Sequence, residues 1–293
     1  MINRASKIVT AAATAFFAVA SVYSAAPPAS AATNDDLIFG VVPQQSASKL
    51  AQIWVPLVDH LSQVTGRTIR FGTAKDIPTF EACLAQGAYD LAYMNPYHYT
   101  TFHDVSGYQA FARQANKRLR GLIVVHKDSP YERLEDLDNQ AIAFPSPAAF
   151  GASVIPRAEM KRRNLAIEPS YVKSHDSVYR AVVAGLFPAG GGVLRTFGNI
   201  PEDLRDQLRV LYETDAYTPH AFAAHRSVDE ALVADIAGHM LALENQRPEL
   251  LQAIGMPGVQ PALDADWDDV RSLNLTETQT EIVVDERLTC HSG

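Results

Sequence analysis

A chain of 293 residues, 47% of them hydrophobic and 20% charged, can bury a large core, and this composition excludes intrinsic disorder. Its net charge of −8 gives no global electrostatic case for binding nucleic acid or an anionic membrane. A small anionic ligand is not excluded, because a few local donors decide that.

Arg4 and Lys7 precede an apolar, alanine-rich run from Ile8 to about Ala26, then Pro27-Pro28 and the small-residue site Ala29-Ser30-Ala31. This order describes a secretory signal peptide over residues 1–31, with a retained membrane anchor as the competing reading. A cleaved signal makes this an exported protein. Leu37 to Val42 reads as a strand stopped by Pro43. Ser46 caps a helix whose apolar residues Leu50, Ile53, Trp54, Leu57, Val58 and Leu61 recur at helical spacing up to Gly66. Thr68–Phe71 is a second strand, and Ile77–Gln86 a second helix closed by Gly87. Tyr89–Met94 is a third strand, stopped by Asn95-Pro96 and followed by the aromatic rim Tyr97-His98-Tyr99. In open α/β sheets a ligand binds at such a C-terminal strand edge, although the stretch reads equally as an aromatic core cluster.

A second strand–loop–helix set follows: strands at Gly121–His126, Gln140–Phe144 and Ser170–Lys173, and helices opening at Pro145–Gly151 and after Ser174. Strand pieces near Phe187–Val193 and Leu208–Leu211 end this block, and His220–Ala224 returns to the first. Alternating strands and helices predict an α/β fold of two lobes, each a mainly parallel sheet flanked by helices. The expected bounds are 36–124 and 216–275 for lobe 1, 125–215 for lobe 2, and 276–293 for a mobile polar tail. Cys83 lies on a helical pattern between Phe80 and Leu84, where a buried small hydrophobe is expected. Cys290 lies in the polar tail, and a bridge between the two is not the expected arrangement.

The sequence carries no HExxH, Gly-x-Ser-x-Gly, P-loop or CxxC pattern. No catalytic residue, cofactor or metal site is expected. His98 and His103 lack the further ligands a zinc site needs. The Gly190-Gly191-Gly192 run lacks dinucleotide-binding spacing. Three strand-to-helix loops are rich in donors instead: Gln44-Gln45-Ser46, Pro147–Gly151 and Ser174–Ser177. Helix starts offer unpaired N–H groups and suit an anion. His175 can donate there, whereas Ser174 and Asp176 read equally as caps. Arg195 is either an anion contact or a surface residue, and Lys75 reads as a solvated charge.

With these loops placed, the chain resembles the phosphate/phosphite/phosphonate-binding (PhnD-like) family of periplasmic ABC-transporter solute-binding proteins. The resemblance rests on Phe39–Pro43, Phe80–Ala92, Leu122–Pro130, and Ser174-His175 followed by Ala181-Val182 and Gly185. It implies a type II periplasmic-binding-protein fold, a monomer with two crossing hinge strands that closes like a flytrap on a small anionic or polar ligand. It implies no enzymatic activity and no nucleic acid. The partner would be an ABC permease or, in sensor relatives, a histidine kinase of the inner membrane. Ligand-binding residues carried over or read from the loops are Gln44, Gln45, Asn95, Tyr97, Ala149, Phe150, Gly151 and His175. Where the family has Ser-Thr-Ser-Gly, this chain has Ala148-Ala149-Phe150-Gly151, and Pro188 stands where aminophosphonate binders have an acid. The leading expectation is capture of a phosphonate-, phosphite- or phosphate-like oxyanion. The alternative is a sensor subunit, with Cys83 as the one candidate thiol for an arsenite-like anion, and an enzyme of the same fold is a third reading.

Overall fold

The computed structural model describes residues 36–284 and 290, so the signal-peptide reading falls outside it. The first lobe opens with β1 (Leu37–Val41), α1 (Ala47–Thr65), β2 (Ile69–Gly72), α2 (Ile77–Ala85), β3 (Leu91–Met94), α3 (Pro96–Ser106) and β4 (Gln109–Gln114). Helix α1 starts where Ser46 Oγ accepts the Lys49 N–H and stops at Gly66, which takes the left-handed conformation. Its stripe of Leu50, Trp54, Leu57, Val58 and Leu61 is buried. Trp54 meets Tyr93 of β3 at 4.7 Å between ring centroids, in a cluster that includes Phe39 and Phe222.

The chain then crosses to the second lobe. There it forms β5 (Leu119–His126), β6 (Gln140–Phe144), a π-helical turn (Phe150–Val154) continuing into α4 (Ile155–Arg162), and β7 (Ile167–Tyr171). Helix α5 (His175–Val183), β8 (Ala189–Val193), α6 (Leu194–Gly198), α7 (Glu202–Arg205) and β9 (Leu208–Tyr217) complete it. Strand β5 is buried on both faces: Ile123 and Val125 enter one core, Leu122 and Val124 the other. That two-sided burial explains its unbroken apolar run. The chain returns as β10 (Ala221–Ala224), α8 (Glu230–Gln246), α9 (Pro248–Ala253), β11 (Val259–Pro261), α10 (Asp268–Arg271) and α11 (Glu277–Thr280).

Strand order is β11-β4-β10-β3-β1-β2 in the first sheet and β7-β6-β8-β5-β9 in the second. Each sheet is mixed, not mainly parallel. Strands β1, β2 and β3 pair in parallel, as do β6, β7 and β8. The strands reached at each crossing, β10 and β4 in one sheet and β5 and β9 in the other, pair antiparallel. The two crossings run side by side, with Leu119 opposite Tyr217 and Arg118 donating to Thr218 Oγ1 at 3.2 Å. Asp269 Oδ2 accepts from Arg118 and from the Thr218 N–H, and Trp267 Nε1 donates to Pro219 O. The return segment therefore clamps the hinge.

Two expectations are overturned at the C-terminus. The segment after Leu275, read as mobile from its polarity, is held along lobe 1 as far as it is described. Thr280 Oγ1 bonds the Tyr97 hydroxyl at 3.0 Å, the Val283 N–H donates to Glu81 Oε2 at 2.9 Å, and Ile282 is buried. Cys290 is bridged to Cys83 on α2. Neither cysteine is a free thiol, so a thiol-based arsenite site on Cys83 is excluded in this state.

Candidate functional site

The two sheets present their strand ends to a common cleft, and four strand-to-helix junctions read from the sequence meet there. Gln44 lies between β1 and α1, Asn95 between β3 and α3, and Ala149–Ala152 enter the π-helical turn after β6. With His175 at the start of α5, they line a cavity of about 10 Å³ together with Val42, Ile77, Val193 and His220. That is room for about one water molecule, so the lobes are closed on each other. Gln45 is buried but does not line this cavity, and Tyr97 turns its hydroxyl to Thr280 instead. The expected rim Tyr97–Tyr99 is the first turn of α3. Asn95 Oδ1 caps that turn by accepting the His98 N–H at 2.8 Å, with Pro96 in the first helical position. The two histidines weighed as metal ligands are engaged elsewhere: His98 Nε2 with Glu81 at 3.0 Å, and His103 Nδ1 with Tyr108 O at 2.9 Å.

The contacts across the cleft are polar. The His175 N–H donates to Gln44 O at 3.3 Å, and Asn95 Nδ2 donates to Ala148 O at 3.3 Å. Arg195, from α6 of lobe 2, reaches lobe 1, where its guanidinium donates to Gln44 Oε1 and sits 5.2 Å from the centroid of the Tyr93 ring. His220 stacks on the same ring at 5.0 Å, and its Nε2 meets Gln44 Nε2 at 3.1 Å. Tyr93 and His220 were missed by the sequence reading. Their signal was present only as an aromatic at the end of a strand and a histidine after Thr218-Pro219.

Sheet packing sets the position of the π-helical wall. An ideal Cβ on Gly121 of β5 would lie 2.1 Å from Gly151 O, and one on Gly191 of β8 would lie 1.8 Å from Ala152 O. Only glycine lets the turn rest backbone-on-backbone against these strands. Gly190 and Gly192 admit Val178 and Tyr179 of α5 in the same way. The triple glycine is thus a packing surface, which explains its lack of nucleotide-binding spacing. Ala149, Phe150, Gly151 and Ala152, where the π-helical turn opens, line the cavity, and the first N–H groups of a helical turn have no earlier turn to bond.

Pro188 stands at the start of β8, lining a separate hollow with His126 and Phe187, whereas the cleft end of that strand is Val193. Pro188 is therefore not a residue of the cleft, and the cavity in the cleft is lined by no carboxylate that could pair with a ligand amine.

His175 is fully buried, and burial, followed by the Arg195 charge, holds its imidazole at about 3 against an ordinary 6.5. His220 is pushed down for the same reasons, burial first. An unfolded chain takes up the His175 proton near pH 6.5, whereas the folded chain refuses it until about pH 3. Stability from this residue is thus complete above pH 6.5 and is lost as the pH falls through that window, at roughly 1.4 kcal/mol per pH unit. Urea midpoints measured from pH 7 to pH 4 are expected to fall less steeply for His175→Gln than for the unaltered protein. Equal slopes would contradict a buried neutral imidazole.

A family model described as the periplasmic substrate-binding protein of a phosphonate ABC transporter matches residues 39–267. No curated protein sequence gives a significant match. Among solved structures, the chain is similar to a binding-protein component of an ABC phosphonate transporter from Pseudomonas aeruginosa, with a TM-score of 0.75 and 16% identity over 86% of this chain and 90% of that one. PhnD1 from Prochlorococcus marinus in complex with methylphosphonate gives 0.75 and 16% over 82% and 99%. The periplasmic aliphatic sulphonate binding protein SsuA from Escherichia coli gives 0.58 and 18% over 86% and 96%. These structures share the two-lobed type II periplasmic-binding-protein fold. The chain belongs to the phosphonate-binding family of periplasmic ABC-transporter substrate-binding proteins.

Proposed function

We propose that this protein captures a compact phosphorus oxyanion in the cleft between its lobes and delivers it to an ABC permease. The observation that supports this best is the cavity lining. It combines the opening backbone of a π-helical turn, neutral imidazoles, two amide side chains and no acidic group. Helix-start N–H groups bind anions without needing hydroxyl side chains, so Ala148-Ala149-Phe150-Gly151 can still serve. The lost hydroxyl donors lower the expected affinity, because each hydrogen bond to a charged group contributes roughly 1.5–3 kcal/mol.

His175 acts as a donor in this reading. Tyr179 OH lies 2.7 Å from Thr196 Oγ1, which lies 3.1 Å from His175 Nδ1. Thr196 Oγ1 also lies 3.1 Å from Val193 O, an acceptor for its one hydroxyl proton; with that proton turned to Nδ1 instead and Tyr179 donating to Thr196, the imidazole proton is left on Nε2 for an oxyanion oxygen. Phe150, held edge-on to Tyr217 at 5.6 Å, supplies with Val193 an apolar wall suited to a small substituent on phosphorus. Closure around the anion would remove it from water and strengthen each of these contacts.

Calorimetry with phosphate, phosphite, methylphosphonate, arsenite and sulfate tests this. A phosphorus anion is expected to bind with one-to-one stoichiometry, and His175→Ala should weaken it by at least tenfold. No heat from any of the five removes the oxyanion assignment and leaves the fold untouched.

A further inference from the structure

We infer that the ligand carries a second negative group, which is received by Arg195 and Lys117 at the hinge side of the cleft. This rests on the oxyanion reading and extends it. The cavity described above shares Val193 and His220 with a neighbouring one of about 40 Å³ that opens beside the crossing strands. Four cationic residues line this second cavity: Lys117, Arg118, Arg120 and Arg195. It too is lined by no carboxylate.

The four cations are not equally committed. Arg118 is paired with Asp269 at 2.7 Å, and Arg120 donates to Thr214 O at 2.8 Å. Neither Arg195 nor Lys117 is ion-paired among the described residues. Arg195 instead donates to Gln44 Oε1, a neutral oxygen at the boundary of the two cavities, and lies over the Tyr93 ring. An amide oxygen is a weaker partner for a guanidinium than an anion is. A ligand whose oxyanion head sits against the π-helical turn and whose tail is negative would offer Arg195 that stronger acceptor. The tail would leave through the boundary formed by Val193 and His220, and the lobes would part to admit it.

The same charge pattern works against a cationic tail. With Arg195 close enough to depress both His175 and His220, an ammonium group in this cavity would meet like charge and find no acid among its lining residues. The chemical class indicated is therefore a small phosphonate bearing a carboxylate, and aminoalkyl phosphonates are selected against.

The test is titration calorimetry of the full protein with phosphonoacetate, methylphosphonate and 2-aminoethylphosphonate, at low ionic strength and again at 0.5 M salt. Phosphonoacetate is expected to bind at least tenfold more tightly than methylphosphonate, and 2-aminoethylphosphonate more weakly than either. Arg195→Gln should collapse the phosphonoacetate preference to near unity. Lys117→Gln, on an exposed hinge residue that can be changed without disturbing the core, should reduce it severalfold and reduce its salt dependence. Methylphosphonate binding equal to phosphonoacetate, or a preference that survives both substitutions, overturns the second negative group while leaving oxyanion capture in place. Binding of none of the three overturns both.

Discussion

Replacing Gly191 with alanine is expected to lower stability by about 3 kcal/mol, the upper part of the usual overpacking range. The added methyl would fall 1.8 Å from Ala152 O and 2.6 Å from Phe144 Cδ1, both parts of packed elements that have no flexible end to move aside. For a chain of this size the shift in thermal midpoint is roughly 6–12 °C. Binding should suffer as well, since the displaced backbone is the cavity wall at Gly151 and Ala152. Gly198→Ala provides the control, because nothing lies within 4 Å of the methyl it adds. Its stability is expected to stay within about 0.5 kcal/mol of the parent's. Equal midpoints for the two variants would show that β8 and the π-helical turn are not in backbone contact.

Loss of the Cys83–Cys290 bridge is expected to be comparably costly, at about 2–5 kcal/mol. The bond spans 207 positions of the chain, so it restrains a large part of the unfolded state. It also holds the end of a segment whose earlier contacts reach the site region. Thr280 meets Tyr97 in the first turn of α3, and the Val283 N–H satisfies Glu81, whose other oxygen pairs with the buried His98. Releasing the segment leaves Glu81, a buried carboxylate, short of a donor. Thermal melts of Cys290→Ser, and of the unaltered protein with and without reductant, are the relevant measurements. An unchanged midpoint in Cys290→Ser would place the bridge outside the stability of the fold.

What the sequence made legible follows from how local each signal is. The stripe of α1, its Ser46 cap and its Gly66 stop all lie within one helix, and all three were readable. So was the order of strands and helices that produces two lobes. The mixed character of the sheets was not, because it depends on which strand each crossing segment joins. Strand β4 was also missed. Its alternation over Gln109–Gln114 is masked by Gln109, Arg113 and Gln114, polar residues on a partly exposed strand. At the site, Gln44, Asn95, Phe150 and His175 were singled out because each stands at a strand-to-helix junction. Gln45 and Tyr97 shared that position in sequence, but alternate side chains at a junction point different ways. The destination of Tyr97 is Thr280, 183 residues away, and Cys83 meets Cys290 across a similar distance. No local pattern contains either pairing. Asn95 followed by Pro96 was a readable helix start, however, and taking it as one would have placed Tyr97 inside α3.

The most direct measurement is a structure of the protein determined with methylphosphonate. The phosphonate oxygens are expected between the N–H groups opening the Phe150–Val154 turn and His175 Nε2, with the Gln44 and Asn95 side chains completing the shell from the other lobe. Density for the anion in the separate groove lined by Arg157, Lys161, Tyr217 and Asn274, or none in the cleft at saturating concentration, would contradict the cleft as the binding site.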